Sequence, residues 1–305
     1  MSAKYSSFTQ YCVGRSTVQL PNEFSMLKVI SGSFQPAIHN SEKMSFDVVV
    51  DGNRLKEENF SKHLLLRRSE LKSNRSETID VLRMEQNLSS SATLFRVQQI
   101  KDTYKSEIHF VLGDNLIVLT ADSYENTFLT IEKRLVEIMS AFIPVDGEKT
   151  NGFCLGTLAI TGDFVVEGGE YFWRDDAGNT FEIKTSTFNS NGPETLLLRM
   201  AGPGSLLSLF HVGHTVLRSG ERTVSGMRAQ EWLGWTDFGE HNDGKTFKFV
   251  TETMRPVASK SRPLIKVTFD SAQKLEDGTN TKTNLSDKEA MAMWDKVLDS
   301  IRPNE

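Results

Sequence analysis

Two cysteines, Cys12 and Cys154, are all that this chain of 305 residues holds. Neither lies in a CxxC pair or in a metal-type cysteine spacing, which excludes a cysteine-held metal centre. No stretch approaches about 18 consecutive apolar residues, so no stable membrane insertion by a helix is expected. The first ten residues are polar and show no apolar leader core, so no signal peptide is visible; another start could have replaced one. Positive charge is in the minority: 35 Lys and Arg face 40 Asp and Glu, for a net charge of −5 and a pI near 5.8. A nucleic-acid partner normally requires a basic patch to neutralise phosphates. The densest candidate, Arg67, Arg68, Lys72 and Arg75, is interrupted by Glu70. With Glu57 and Glu58 on the same segment, it reads as a solvated helix face.

Catalytic signatures are equally scarce. There is no Gly-x-Ser-x-Gly elbow. Gly204-Ser205 lies near His211 and His214, but a nucleophile also needs a base oriented by a third group, and nothing marks one. His211 and His214 stand three apart beside a glycine, whereas a helical zinc pair stands four apart. Gly239 to Thr246 spells the phosphate-loop pattern G-x-x-x-x-G-K-[ST]. That motif works by leading into a helix whose first amides hold phosphate. Here Phe247, Phe249 and Thr251 alternate with Lys248, Val250 and Glu252, which predicts a strand. Glu240 and Asp243 would also repel phosphate. The segment reads as a hairpin tip, and no cofactor or metal is expected.

What the chain does contain is a repeated unit. Tyr11-Cys12-Val13-Gly14 and Phe153-Cys154-Leu155-Gly156 share aromatic, Cys, aliphatic, Gly, and an aliphatic residue follows four places on. Each half closes on an amphipathic helix that runs into a proline, Pro144 or Pro303. Two diverged copies of one unit explain this, with domains at 1–147 and 148–305 and a polar linker near 145–151. Cysteines at equivalent repeat positions are expected in separate cores as small buried hydrophobes; a disulfide between them is the alternative.

Within the copies, 12–20, 24–30, 46–50, 94–100, 153–160 and 264–269 read as strands, and 222–254 as a meander. Gly113-Asp114-Asn115 and Asp175 to Asn179 read as hairpin turns. Residues 54–73 and the stripe Phe128, Ile131, Leu135, Ile138 and Phe142 predict helices packed on a sheet. Gly202-Pro203-Gly204 breaks any helix over 194–210. Ser286-Asp287-Lys288-Glu289 is a capping box that opens a last helix with the face Ala290, Met293, Trp294, Val297, Leu298 and Ile301. Strands in runs beside separate helices give an α+β fold of two related domains, each a mainly antiparallel sheet packed by helices.

The aromatic hairpins are the candidate contact surfaces. Tyr171, Phe172 and Trp173 are consecutive, so at least one ring points away from the core. Trp232 and Trp235 likewise take opposite faces of a regular strand. Exposed rings often anchor protein interfaces, although both faces of the sheet could instead be covered. Tyr171, Trp173, Trp235, Asp237, Glu240 and His241 are the predicted partner-binding residues, large rings beside turn-borne polar groups.

Several motifs resemble the Tle cognate immunity protein 4 family, which neutralises type VI secretion lipase effectors. They are Cys12-Val13-Gly14-Arg15 with Leu20-Pro21, Gly152-Phe153-Cys154, Arg218-Ser219-Gly220-Glu221-Arg222-Thr223-Val224-Ser225-Gly226-Met227, and Met293-Trp294-Asp295-Lys296-Val297-Leu298-Asp299-Ser300-Ile301-Arg302. The specificity lies in their order and spacing over most of the chain. The resemblance implies a two-domain, non-enzymatic protein that grips its cognate lipase effector with both domains and denies substrate access. It also implies a periplasmic site of action, for which no leader is visible here. The alternatives from other classes are a hydrolase with a cryptic site near Ser205 and His211, and an envelope scaffold protein.

Overall fold

A computed structural model describes residues 5–27, 29–37, 44–52, 57–73, 80–145, 150–188, 195–201, 214–237, 245–254, 258–271, 283 and 285–304. The first sequence copy supplies β1 (Phe8–Gly14), β2 (Ser16–Pro21), β3 (Ser25–Met26), β4 (Val29–Pro36), β5 (Phe46–Asp51) and α1 (Glu57–Ser73). It continues with β6 (Val81–Ser89), β7 (Ala92–Ile100), β8 (Thr103–Leu112), β9 (Asn115–Tyr124), α2 (Phe128–Met139) and β10 (Phe142–Pro144). The second copy supplies β11 (Phe153–Leu155), β12 (Leu158–Ile160), β13 (Phe164–Arg174), β14 (Thr180–Ser186) and α3 (Leu196–Ala201). It ends with β15 (His214–Val224), β16 (Met227–Asp237), β17 (Lys245–Thr253), β18 (Leu264–Asp270), α4 (Asp287–Asp299) and β19 (Arg302–Pro303).

Among the described residues, and apart from the two-residue β3, the two copies run through the same elements in the same order. Their sheets also match strand for strand: β4-β5-β9-β8-β7-β6 in the first, β13-β14-β18-β17-β16-β15 in the second. The pairings recorded along both sheets are antiparallel. The fold is therefore α+β, as the alternation of strand runs and helices predicts.

The repeat motif itself is a hairpin, which corrects the reading of 12–20 and 153–160 as single strands. Val13 stands opposite Ser16 and Leu155 opposite Leu158, so each chain reverses through two residues. Gly14 has φ 59° and Gly156 φ 72°, a left-handed conformation that suits glycine at the first place of a tight hairpin turn. Those two glycines were visible in the sequence; their apolar flanks masked the turn. The closing prolines are equivalent too, because Pro303 faces Ser16 and Pro144 faces Leu158, the same position of the repeat.

The compact units are not the sequence halves. One comprises residues 1–27, 147–150 and 168–305; the other comprises 28–146 and 151–167. Each sheet body is thus completed by the hairpin of the other copy. In the first unit β2 pairs with β19, Tyr11 packs edge-on to Trp173 at 5.5 Å between ring centres, and Phe24 meets Phe181 at 5.0 Å. In the second unit β12 pairs with β10, and Phe153 and Phe164 pack on Phe34 at 5.1 and 5.2 Å. The polar linker separates the copies in sequence, but folding regroups them.

The helices follow their apolar stripes. In the second unit Phe60, Leu64 and Leu71 of α1 pack on Phe95, Val97 and Leu116. Ile131 and Leu135 of α2 are buried. Arg96 lies between Phe95 and Val97 and so points to the other face, where it meets Glu132 of α2. The α2 stripe stops before Phe142, which lies in β10 because Ser140 caps the helix and donates to the Glu137 carbonyl at 2.6 Å. In the first unit α4 begins with the predicted capping box. Its Ala290, Met293, Trp294, Val297 and Leu298 are buried, as is Ile301 beyond it.

Cys12 and Cys154 are both disulfide-bonded. This overturns the expectation of two separate buried thiols. The Asn304 side-chain amide donates to Cys12 Sγ at 3.3 Å.

Candidate functional site

The predicted contact residues divide between core and surface. Tyr171 and Trp173 have no exposed surface, which removes them from the contact surface. They seat the N-terminal hairpin instead: Gly14 N–H donates to the Tyr171 hydroxyl at 2.8 Å, and Trp173 packs against Tyr11. The outward ring of the triplet is Phe172, which is half-buried. Strand alternation foretold one such ring but did not say which.

Trp235, at the end of β16, is half-buried. Its neighbours build a mixed surface. Thr215 faces Trp235 across β15, Val216 is 45% exposed, and the Lys245 ammonium sits 4.6 Å above the indole ring. Lys245 also pairs with Asp287 at 2.9 Å, which ties this strand end to the start of α4. Asp237 closes β16 opposite Lys245; its side chain, together with Glu240 and His241, lies outside the described residues. So do Ser205 and His211. The strand predicted after the phosphate-loop-like segment is present as β17, antiparallel to β16; the expected hairpin tip at Asn242-Asp243-Gly244 lies outside the described residues.

The Arg218–Met227 motif is built into β15 and β16 as a charge network under α4. Arg218 Nε lies 2.7 Å from Glu231 Oε1, and its Nη1 donates to Asp295 at 3.0 Å. Arg222 reaches Glu231 at 2.9 Å, Asp295 at 3.0 Å and Asp299 at 2.8 Å. The Trp294 indole N–H donates to Glu231 at 3.4 Å. Burial raises the Asp295 pKa, but hydrogen bonds and charge from the two arginines outweigh it and hold the carboxyl below its usual range. Bidentate arginine contacts fix orientation as well as charge. The motif therefore locks the last helix onto its sheet.

Sequence reasoning missed a second network. Arg67, expected on a solvated face, reaches down from α1 to Glu107 with bonds of 2.9 and 2.7 Å. Glu107 also faces His109 Nε2 at 3.2 Å, and His109 Nδ1 stands 2.8 Å from His63 Nε2. Glu107 and His109 are buried. One proton arrangement satisfies all of them: His109 donates from Nε2 to Glu107, and His63 donates from Nε2 to His109 Nδ1. Burial opposes ionisation of Glu107, yet the bonds from His109 and Arg67 reverse that and hold its pKa at about 2. Desolvation, then the neighbouring His109, lowers the His63 pKa. Arg68 pairs with Glu85 on β6, and Arg199 of α3 pairs with Glu252 of β17. The same helix-to-strand ion pair thus recurs in the second copy. The sequence signal was arginine on a helix and glutamate on an apolar strand, which only the register brings together.

Among the described residues no group of three or more His, Cys, Asp or Glu side chains could hold a metal. No helix among them is long and apolar enough to cross a membrane.

These features define a duplicated α+β protein in which buried ion pairs fasten helices to antiparallel sheets. Residues 148–305 match the family model of the Tle cognate immunity protein 4 C-terminal domain. The chain belongs to the Tle cognate immunity protein 4 family. No curated protein matches it. Among solved structures it is similar to the apo immunity protein TplEi of the type VI secretion system of Pseudomonas aeruginosa, with 17% identity, 99% of each chain covered and a TM-score of 0.70. It is likewise similar to a chain of the Tle4–Tli4 complex, with 18% identity, 100% of this chain and 99% of that one covered, and a TM-score of 0.70. TplEi bound to an "L" peptide gives 18% identity, 99% coverage of each chain and a TM-score of 0.66. The likeness extends over both copies, so the duplicated fold is shared from end to end.

Proposed function

We propose that this chain is an immunity protein that binds and inhibits a cognate phospholipase effector of type VI secretion. It blocks substrate access to the effector's active site and so protects the producing cell and its kin. The observation that carries this reading is the family match joined to an end-to-end fold likeness with immunity proteins, one of them from a complex named for both partners. The chain acts by stoichiometric binding and not by catalysis. A periplasmic site of action is supported by the disulfide bonding of Cys12 and of Cys154, since such bonds persist in oxidising compartments. Trp235 and Asp237, with Glu240 and His241, form the proposed contact surface, because a ring backed by Lys245 combines apolar area with charge.

Titration of the chain into the lipase encoded beside its gene, with activity and complex mass followed together, tests this. The expected outcome is loss of activity at a fixed molar ratio with a stable complex. Full activity without a complex would overturn the reading. Trp235→Ala is expected to raise the amount needed for inhibition about tenfold, which corresponds to about 1.4 kcal/mol of binding. An unchanged titration would move the contact surface elsewhere.

A further inference from the structure

We infer that the open edge of β15 receives an extended segment of the cognate effector as an added antiparallel strand, with an acidic side chain of that segment on Arg302; the inference rests on the binding function proposed above. β15 lies at the end of its sheet and spans 11 residues. Val224 and Met227 close a two-residue turn, in which Ser225 has φ 50° and Gly226 φ 71°. A turn of that kind makes its flanking residues a hydrogen-bonded pair. Alternation then aims the backbone groups of Arg222, Gly220 and Arg218 at β16, and turns those of Thr223, Glu221 and Ser219 outward. None of these outward groups meets a partner among the described residues.

Exposed edges are normally blunted against pairing. The equivalent strand of the first copy, β6, is blunted: its register with β7 shifts between Leu82 and Met84 and again between Asn87 and Ser89. β15 shifts once, between Val216 and Arg218, so 218–224 stay regular. A second copy does not fit this edge. Antiparallel self-pairing centred on residue 221 sets Glu221 against Glu221, and centred on 220 or 222 it sets arginine against arginine. Like charges directly opposite are destabilising. The charge of an unlike strand follows from what lies beside the edge. Thr223 and Arg302 line one hollow of about 350 Å³ with Leu298 and Asp299. Asp299 is engaged by Arg222 at 2.8 Å. Arg302 is exposed, donates to the Ile301 carbonyl at 2.7 Å, and meets no carboxylate among the described residues. A carboxylate entering the hollow from an added strand supplies that partner.

Amide hydrogen exchange of the full chain, alone and mixed with excess lipase, reads the edge directly. Alone, the amides of Ser219, Glu221 and Thr223 are expected to exchange freely while those of Gly220 and Arg222 are protected. In the complex the three outward amides are expected to slow by about tenfold or more. A complex that forms without slowing them overturns the inference and leaves the inhibitor reading standing; absence of any complex overturns both. Glu221→Pro deletes one outward N–H at a place where an edge strand tolerates proline. Glu221→Ala removes the same carboxylate but keeps the N–H. The proline variant is expected to bind the lipase about tenfold more weakly than the alanine variant, and equal Kd values would count against an added strand. Arg302→Gln is expected to raise Kd about tenfold and to reduce its dependence on salt. No change in either would rule out the acidic contact.

Discussion

At the scale of single residues, buried polar side chains in this protein act as fasteners, and their protons set the conditions under which they hold. His63 has a lowered pKa because burial and the adjacent His109 disfavour its cation. A base whose folded-state pKa is depressed binds fewer protons than it does unfolded. Its contribution is therefore complete above its unfolded pKa of about 6.5 and is lost as pH falls through the lower folded value. Stability measured by urea unfolding is expected to decline from pH 7 towards pH 5. His63→Gln keeps an N–H for His109 and cannot titrate, so it is expected to flatten that slope; an unchanged slope would place its origin elsewhere. Glu107, held at about 2, contributes in a separate, more acidic window. Its stabilisation is full above the ordinary carboxylate range and fades as pH drops towards 2. None of this was readable from the residues alone. His63 and His109 stand 46 positions apart, and only the register of β8 under α1 unites them.

At the scale of elements, local chemistry and packing left marks of very different strength in the sequence. The start of α4 was legible because a capping box is a four-residue code whose bonds are local. Ser286 Oγ accepts from Glu289 N–H at 3.3 Å, and Glu289 answers Ser286 N–H at 3.0 Å. Ser286→Ala is expected to cost about 1 kcal/mol, measured as a lower denaturation midpoint. No change would mean that packing of Trp294 and Leu298 alone sets the helix start. The two repeat hairpins were legible as motifs but not as turns, since a strand of apolar residues around one glycine looks continuous until φ is known. Tyr171 and Trp173 failed as surface candidates for a related reason. Alternation says that neighbouring rings take opposite faces, but which face is the core depends on the segment that covers it. Here that segment begins the chain.

At the scale of the whole molecule, duplication was visible in the sequence, while the regrouping of its parts was not. The motifs at Cys12 and Cys154 report a shared ancestor for the copies, yet pairings such as Pro303 with Ser16 join residues nearly a chain length apart. Disulfide bonding acts at this scale too. Replacing both disulfide-bonded cysteines by serine is expected to lower the free energy of unfolding, measured in denaturant, by about 2–5 kcal/mol, and a change of less than about 1 kcal/mol would assign the bonding a minor structural part.

The crossed hairpins also bear on descent. Once each hairpin had taken its seat in the opposite copy, neither copy could drift on its own. Val18 and Leu20 lie on β2, which packs on α4, so a substitution at either is expected to be answered by change around that helix, at the far end of the gene. The lineages of the two copies are in that sense braided. The stretches that fold together are 1–27 and 147–150 with 168–305, and 28–146 with 151–167, so exchanging a whole copy between relatives is expected to part each hairpin from its seat.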